Sequence, residues 1–245
     1  MNYSRYKLTL LEKGKIFFLS AVICALVSWL FYDHWFLLML IPIFYYFICK
    51  RNTEKKKEER FRELERQFQN ALQSVSGGLS AGYSMENAWK EAYKEMTLLY
   101  GENSYICREL KEINQQIALN VPIEEMVEDL GKRSGIEDIE NFAQIFRFAK
   151  RGVGNFVKII HRTAAHMQEK IEVRQEIEVL VASKKMEQNI MNVVPLGILV
   201  YLKISSGDFL SVIYKNPMGI CFMSICLGIY GVALLLAEKI LKIEV

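Results

Sequence analysis

Five consecutive residues, Gly78-Leu79-Ser80-Ala81-Gly82, match the Gly-x-Ser-x-Gly pattern of an acyl-transfer nucleophile, and Asp129 and His161 follow in the chain order that α/β-hydrolases use. In that chemistry Ser80 would attack a carbonyl, His161 would take its proton and Asp129 would orient the imidazole. The pattern works where a strand enters a sharp, strained turn. Here the preceding residues carry helical periodicity, so the sequence predicts a flexible helix C-terminus and no catalytic role for Ser80.

His161 and His166 are five apart, which places them about 140° apart around a helix of 3.6 residues per turn. They do not converge on one metal, and no His-Glu-x-x-His or Cys/His cluster accompanies them, so a solvated or partner-facing role is expected. Gly14-Lys15 lacks the upstream glycine and the following Ser or Thr of a phosphate loop. The five cysteines are odd in number and show no Cys-x-x-Cys spacing. They are expected to be buried apolar residues in a reducing setting, with Cys24, Cys49, Cys221 and Cys226 in or beside apolar segments and Cys107 among charged ones. No catalytic, cofactor-binding or metal-binding residue is therefore assigned, no cofactor is expected, and any nucleotide energy has to come from a partner. A formal net charge of +3 does not suggest nucleic-acid binding.

The elements around these residues fall into a simple order. Two pairs of apolar segments, 16–32 with 35–49 and 190–204 with 218–237, bracket the charged stretch 50–189. Each segment is about long enough to cross a bilayer, and the short connections make hairpin neighbours. This predicts an all-α membrane protein with four transmembrane helices and a cytoplasmic six-helix bundle. The organisation is an N-terminus at 1–15, a transmembrane hairpin at 16–49, the bundle at 50–189, spans three and four at 190–237 with an outer loop at 205–217, and a C-terminus at 238–245. Orientation follows from Lys and Arg, which are retained on the cytoplasmic side in short flanking segments. Arg5, Lys7, Lys13 and Lys15 precede the first span, and Lys50, Arg51, Lys55, Lys56, Lys57 and Arg60 follow the second. The Asp33-His34 turn carries neither, the outer loop offers only Lys215, and Lys239 and Lys242 follow the last span. Both termini and the bundle are thus expected in the cytoplasm. The run from Lys50 reads as a topology anchor against anionic lipid. A secretory signal peptide competes for the first apolar run, but no Ala-x-Ala site closes it, and Cys24 follows Ile23 where a lipoprotein site needs a small residue.

Turn residues divide the middle stretch into six helices. The first, 54–80, repeats Phe61, Leu64, Phe68, Ala71, Leu72 and Val75 at helical spacing. Ser84 is the expected N-cap of a second helix through Met85, Ala88, Trp89 and Ala92, ended by Gly101. A third, 104–119, buries Ile106, Leu110, Ile113 and Ile117. Pro122 opens the fourth as its first helical residue, where Glu124 and Glu125 suit the positive end, and Gly135 closes it. The fifth, 136–150, turns Ile139, Phe142, Ala143, Phe146 and Ala149 to one side. The sixth is expected to start at the N-cap Asn155 and run unbroken to Pro195, entering span three as one helix.

In the spans, Asn189 and Asn192 are candidates for interhelical hydrogen bonds, and Ser224, Gly228 and Gly231 form a small-residue stripe on span four, for packing either among the four spans or against another protein. Pro42 and Pro195 are expected to kink spans two and three. Glu187 lies at the boundary of span three as an interfacial charge.

The order Leu79, Gly82, Ser84, Ala88, then Pro122-Ile123-Glu124, then Phe148-Ala149 before 152–155, then Pro195 resembles the type II secretion system F domain, over about 68–202. The likeness is greatest to the TadB and TadC proteins of tight-adherence pilus machines, with Val153 departing from the first of two adjacent glycines that the family often has. The resemblance implies an inner-membrane platform protein without chemistry of its own. Such a protein would couple a cytoplasmic secretion or pilus ATPase to extraction of prepilin or pilin subunits from the bilayer, alongside a second platform protein or a further copy of itself. Two other classes fit less well. A small transporter needs an ionisable cluster at mid-membrane, which the spans lack. A membrane-anchored signalling protein needs an outer sensing domain or a long heptad coiled coil, and the outer loops are small while Pro122 and glycines interrupt the helices.

Overall fold

Helix signals and helix punctuation dominate the chain, and the computed structural model contains helices and no strand among its described residues, 10–32, 41–151, 156–205 and 216–243. In chain order they are α1 (Leu10–Phe31), α2 (Ile41–Ser80), α3 (Met85–Tyr100), α4 (Tyr105–Ala118), α5 (Ile123–Ser134), α6 (Glu137–Arg151), α7 (Phe156–Ser205) and α8 (Pro217–Ile243). The described chain divides into two compact units. One holds α2 from Thr53, α3 to α6, and α7 as far as Val173; the other holds α1, the start of α2, the rest of α7, and α8.

The first unit is built around a continuous apolar core running from Leu64 to Met167. Ser84 caps α3, its hydroxyl accepting the Asn87 N–H, and Ser104 caps α4 in the same way through Cys107. Such a cap contributes about 1 kcal/mol by satisfying a helix-start donor. Gly101 stops α3 at φ 79°, and Gly135 stops α5 at φ 67° with its N–H bonded to the Gly131 carbonyl. Only glycine takes these left-handed values without steric cost. Pro122 sits one place earlier than the sequence predicts: at φ −60° and ψ 130° it is the cap, and Ile123 is the first helical residue. Asn120, two residues before it, occupies the left-handed region at φ 60°, so the turn is already set and the proline only has to present an extended residue to the helix start. The turn at 152–155, including the Asn155 cap, lies outside the described residues.

Aromatic side chains tie three helices together. Phe68 of α2 meets Phe142 of α6 edge to face at 5.5 Å, and Trp89 of α3 meets Phe146 of α6 at 6.4 Å and 85°. All four are essentially inaccessible. Two glycines allow helices to approach more closely than a side chain would permit. A Cβ at Gly131 would lie 3.1 Å from the Glu140 Cα of α6, and one at Gly78 would lie 3.3 Å from the Ala88 Cβ of α3. Because the Gly131 obstacle is backbone, Gly131→Ala is expected to cost about 1–3 kcal/mol in urea unfolding of the purified chain. Gly77→Ala meets nothing within 4 Å and should be neutral or stabilising by up to ~1 kcal/mol.

The second unit is apolar on its outside. Among the described residues two helical stretches, not the four expected, are long and apolar enough to cross a membrane, Leu10–Phe31 and Met218–Ala237. Only 6% of the α8 span is buried within the chain, so Phe222, Ile225, Ile229 and Leu235 need a covering that the chain does not provide. The first span begins earlier than expected, so that Lys13 and Lys15 lie within α1 rather than before it. Most of span two is in α2, but 35–40 lie outside the described residues, as do the Asp33-His34 turn and most of the outer loop. The residues expected as a third span, 190–204, form the C-terminal part of the 50-residue α7, where Asn189, Asn192 and Lys203 thin the apolar run; α7 continues through Pro195.

Within this unit Ile16, Ser20, Cys24, Ser28 and Phe31 form the buried stripe of α1. Leu30, Phe31 and Met223 form a small apolar cluster joined by Leu196, Leu199 and Val200 of α7. Tyr32 and Ser224 share a hydrogen bond of 2.7 Å, Tyr230 donates to the Asn192 carbonyl, and Lys203 donates to the Trp29 carbonyl with its ammonium 4.6 Å from that indole. Thus α1, α7 and α8 are fastened by polar contacts as well as by packing, which counts in a solvent that offers no hydrogen bonds.

Candidate functional site

The three hydrolase-like residues each have a separate local setting. Ser80 is the last residue of α2 and its hydroxyl donates to the Ser76 carbonyl one turn back, the ordinary behaviour of a helical serine. Asp129 is committed to Arg133 at 2.5 Å, and His161 lies exposed on α7. A helix, not a strand, enters the Gly-x-Ser-x-Gly turn, and Gly82 at φ 88° only reverses the chain toward the Ser84 cap. Ser80→Ala is accordingly expected to leave thermal stability within error of the parent, measured by a CD melt. His166 is exposed as well, and no group of three or more metal-ligating side chains occurs among the described residues. No disulfide joins the cysteines. Cys24 and Cys107 are buried as expected, whereas Cys221 is exposed on α8 because that helix has no protein neighbour on its outer side.

Residues carrying the family pattern have structural tasks. Leu79 and Ala88 close the α2/α3 contact beside Gly78, Ile123 is buried, and Glu124 reaches across to Lys150 of α6 at 2.5 Å. Ala149 faces the core, while Phe148 beside it is 75% exposed. An exposed phenylalanine on a charged helix surface is available to a partner, as are Tyr83 and Leu98.

Two polar features were not legible in the sequence. Arg133 of α5 grips the buried Glu109 carboxylate of α4 with both terminal nitrogens, at 3.3 and 2.8 Å, while its Nε bonds Asp129. Burial works to lower the Arg133 pKa, but hydrogen bonds and charge from Glu109 and Asp129 outweigh it and hold the guanidinium above its ordinary value. The second is Gln67, whose amide oxygen accepts the Ile106 N–H at the start of α4 at 3.1 Å, satisfying a helix-start donor inside the core. On the exterior, Glu128 is held below the usual carboxylate range chiefly by its hydrogen bond to Lys132, with Arg147 adding to it.

A groove of about 650 Å³ lies between α2 and α3. Gln73, Ser74 and Gly77 line one wall, Glu91 and Glu95 the other, and Leu99 is among its apolar residues. A smaller cleft of about 180 Å³ between α4 and α5 is lined by Glu112, Glu125 and the Arg133 network. In the larger groove the Ser74 hydroxyl donates to the Glu95 carboxylate across the two walls.

In span four, Ser224 is engaged by Tyr32, whereas a Cβ at Gly228 or Gly231 would meet nothing within 4 Å. The Asn192 contact runs through its backbone carbonyl rather than its side-chain amide. Glu187 pairs with Lys184 at 3.1 Å.

No curated protein and no solved structure matches the chain significantly. The family model described as type II secretion system (T2SS), protein F, matches residues 62–202, from the last charged turns of α2 before the core through the apolar end of α7. That match covers more than half of the sequence, and it contains the capped helices, the glycine turns and the groove just described: the chain belongs to the type II secretion system protein F family.

Proposed function

We propose that this protein is the inner-membrane platform of a pilus-type secretion machine, of the TadB or TadC kind, and that it transmits force from a cytoplasmic ATPase to pilin subunits in the bilayer. Its family is one of non-catalytic inner-membrane platform proteins of secretion systems. In this reading four helices span the membrane, both termini and the bundle face the cytoplasm, and a second platform protein or a further copy completes the assembly. The chain carries out no bond chemistry; its work is mechanical.

The observation that carries the reading is helix continuity. α2 (Ile41–Ser80) and α7 (Phe156–Ser205) each run without a break from an apolar segment into residues of the bundle core. A hydrogen-bonded helix resists bending far better than a loop, so displacement applied at one end reaches the other. A soluble scaffold with a membrane tether would do with a flexible linker. The features that the rival classes need, a mid-membrane ionisable cluster or a sensing domain, do not occur among the described residues.

The test is photocrosslinking in native membranes from probes at the exposed Tyr83, Leu98 and Phe148, with partners identified by mass spectrometry. Capture of a secretion-type ATPase or a second platform protein is the expected result. Capture of lipid alone, in cells that are assembling the machine, would sink the coupler reading.

A further inference from the structure

The geometry points to the α2/α3 groove as a docking site for a basic amphipathic helix of another protein. The groove has two walls of different character. On the α2 side Gln73, Ser74 and Gly77 are small or neutral, and a side chain at Gly77 would project into open space. On the α3 side Glu91, Glu95 and Leu99 recur every fourth residue, so two carboxylates and one apolar side chain follow each other along one stripe.

Charge decides the occupant. The lining contains two carboxylates and no Lys or Arg. Each carboxylate uses one oxygen locally: Glu91 accepts Lys94 and Glu95 accepts the Ser74 hydroxyl, both through Oε2. The Oε1 atoms remain for a ligand. Anionic ligands, including phosphates and acidic headgroups, are disfavoured by this lining, and a purely apolar segment would desolvate both carboxylates while giving neither a new partner. A helix carrying Lys or Arg one turn apart, flanked by leucine-like side chains, matches both features: its cations meet Glu91 and Glu95 while its apolar residues cover Leu99. Gly77 leaves room for such a helix to approach α2 closely.

The experiment uses the full chain in nanodiscs of neutral phosphatidylcholine. The probe is a fluorescent model helix built from Leu and Lys, compared with the same peptide bearing Glu for Lys, with empty nanodiscs as the blank. The Lys peptide should bind and the Glu peptide should not. Glu91→Gln with Glu95→Gln is expected to weaken Lys-peptide binding about tenfold, the sum of two partly exposed ion pairs. Gly77→Trp, which has space to fold but fills the groove, should abolish binding. Glu112→Gln with Glu125→Gln at the smaller cleft should leave it unchanged. Equal binding of both peptides, or an affinity that survives the groove substitutions, overturns the assignment. A Gly77→Cys chain whose five native cysteines are replaced by Ser and that forms a disulfide dimer in membranes would instead assign the groove to a second copy, which also overturns it.

Discussion

Arg133→Ala is expected to destabilise the packed α2–α7 core by about 3 kcal/mol, the lower end of the range for removing one partner of a buried ion pair. The Glu109 side chain is 3% exposed, and Arg133 supplies two of its hydrogen bonds. Truncating the arginine leaves a carboxylate in the core without them, and its desolvation is no longer offset. The lower end applies because Arg133 itself is 28% exposed, so water can enter where the guanidinium was. Arg133→Lys should recover only part of the loss, since an ammonium cannot make the two-nitrogen contact. Replacing the pair together, Glu109→Leu with Arg133→Met, should restore stability to within about 1–2 kcal/mol of the parent, because no charge is then stranded. Urea unfolding followed by circular dichroism distinguishes these. A double variant as unstable as Arg133→Ala would show that the pair does more than neutralise itself.

That ion pair also marks where sequence reading stops. Helix identity was legible because its causes are local: Ser84, Ser104, Gly101 and Gly135 act within one turn, and Phe142, Ala143, Phe146 and Ala149 repeat at the helical period. Glu109 and Arg133 are 24 residues apart on different helices, and each is an unremarkable charge on an amphipathic face. Only the packing of α4 against α5 brings them together. The groove is hidden for the same reason, since its walls come from α2 and α3 and its carboxylates look like solvated helix charges. Pro122 was misplaced by one residue because proline is tolerated both at the cap and at the first helical position, and only the backbone angles separate the two. In the apolar unit, composition reads as membrane in any register, so it reveals neither the Lys203 contact with Trp29 nor the Tyr32 bond to Ser224. The Gly-x-Ser-x-Gly match failed in the opposite way: a correct local string without the strand that gives it chemistry.

The largest functional effect is expected from softening the two long helices. If the proposed coupling holds, three glycines inserted after Glu54 in α2 and, separately, after Ser183 in α7 should abolish the activity of the secretion machine while the chain still accumulates in the membrane. Each glycine costs about 1 kcal/mol of helix stability relative to alanine, so three of them make a local break in a rod that is otherwise continuous. Length and rotation have to be separated from stiffness. Seven alanines at the same positions keep the helix and preserve its facing to within about 20°, since seven residues make nearly two turns of 3.6, while lengthening it by ~10 Å. If force travels along these helices, the alanine variants should retain a substantial part of the activity that the glycine variants lose. Equal loss in both would mean that the spacing between membrane and bundle matters rather than rigidity. Full activity with the glycines would refute mechanical coupling through α2 and α7, and would leave the bundle as a docking scaffold whose attachment to the membrane can be slack.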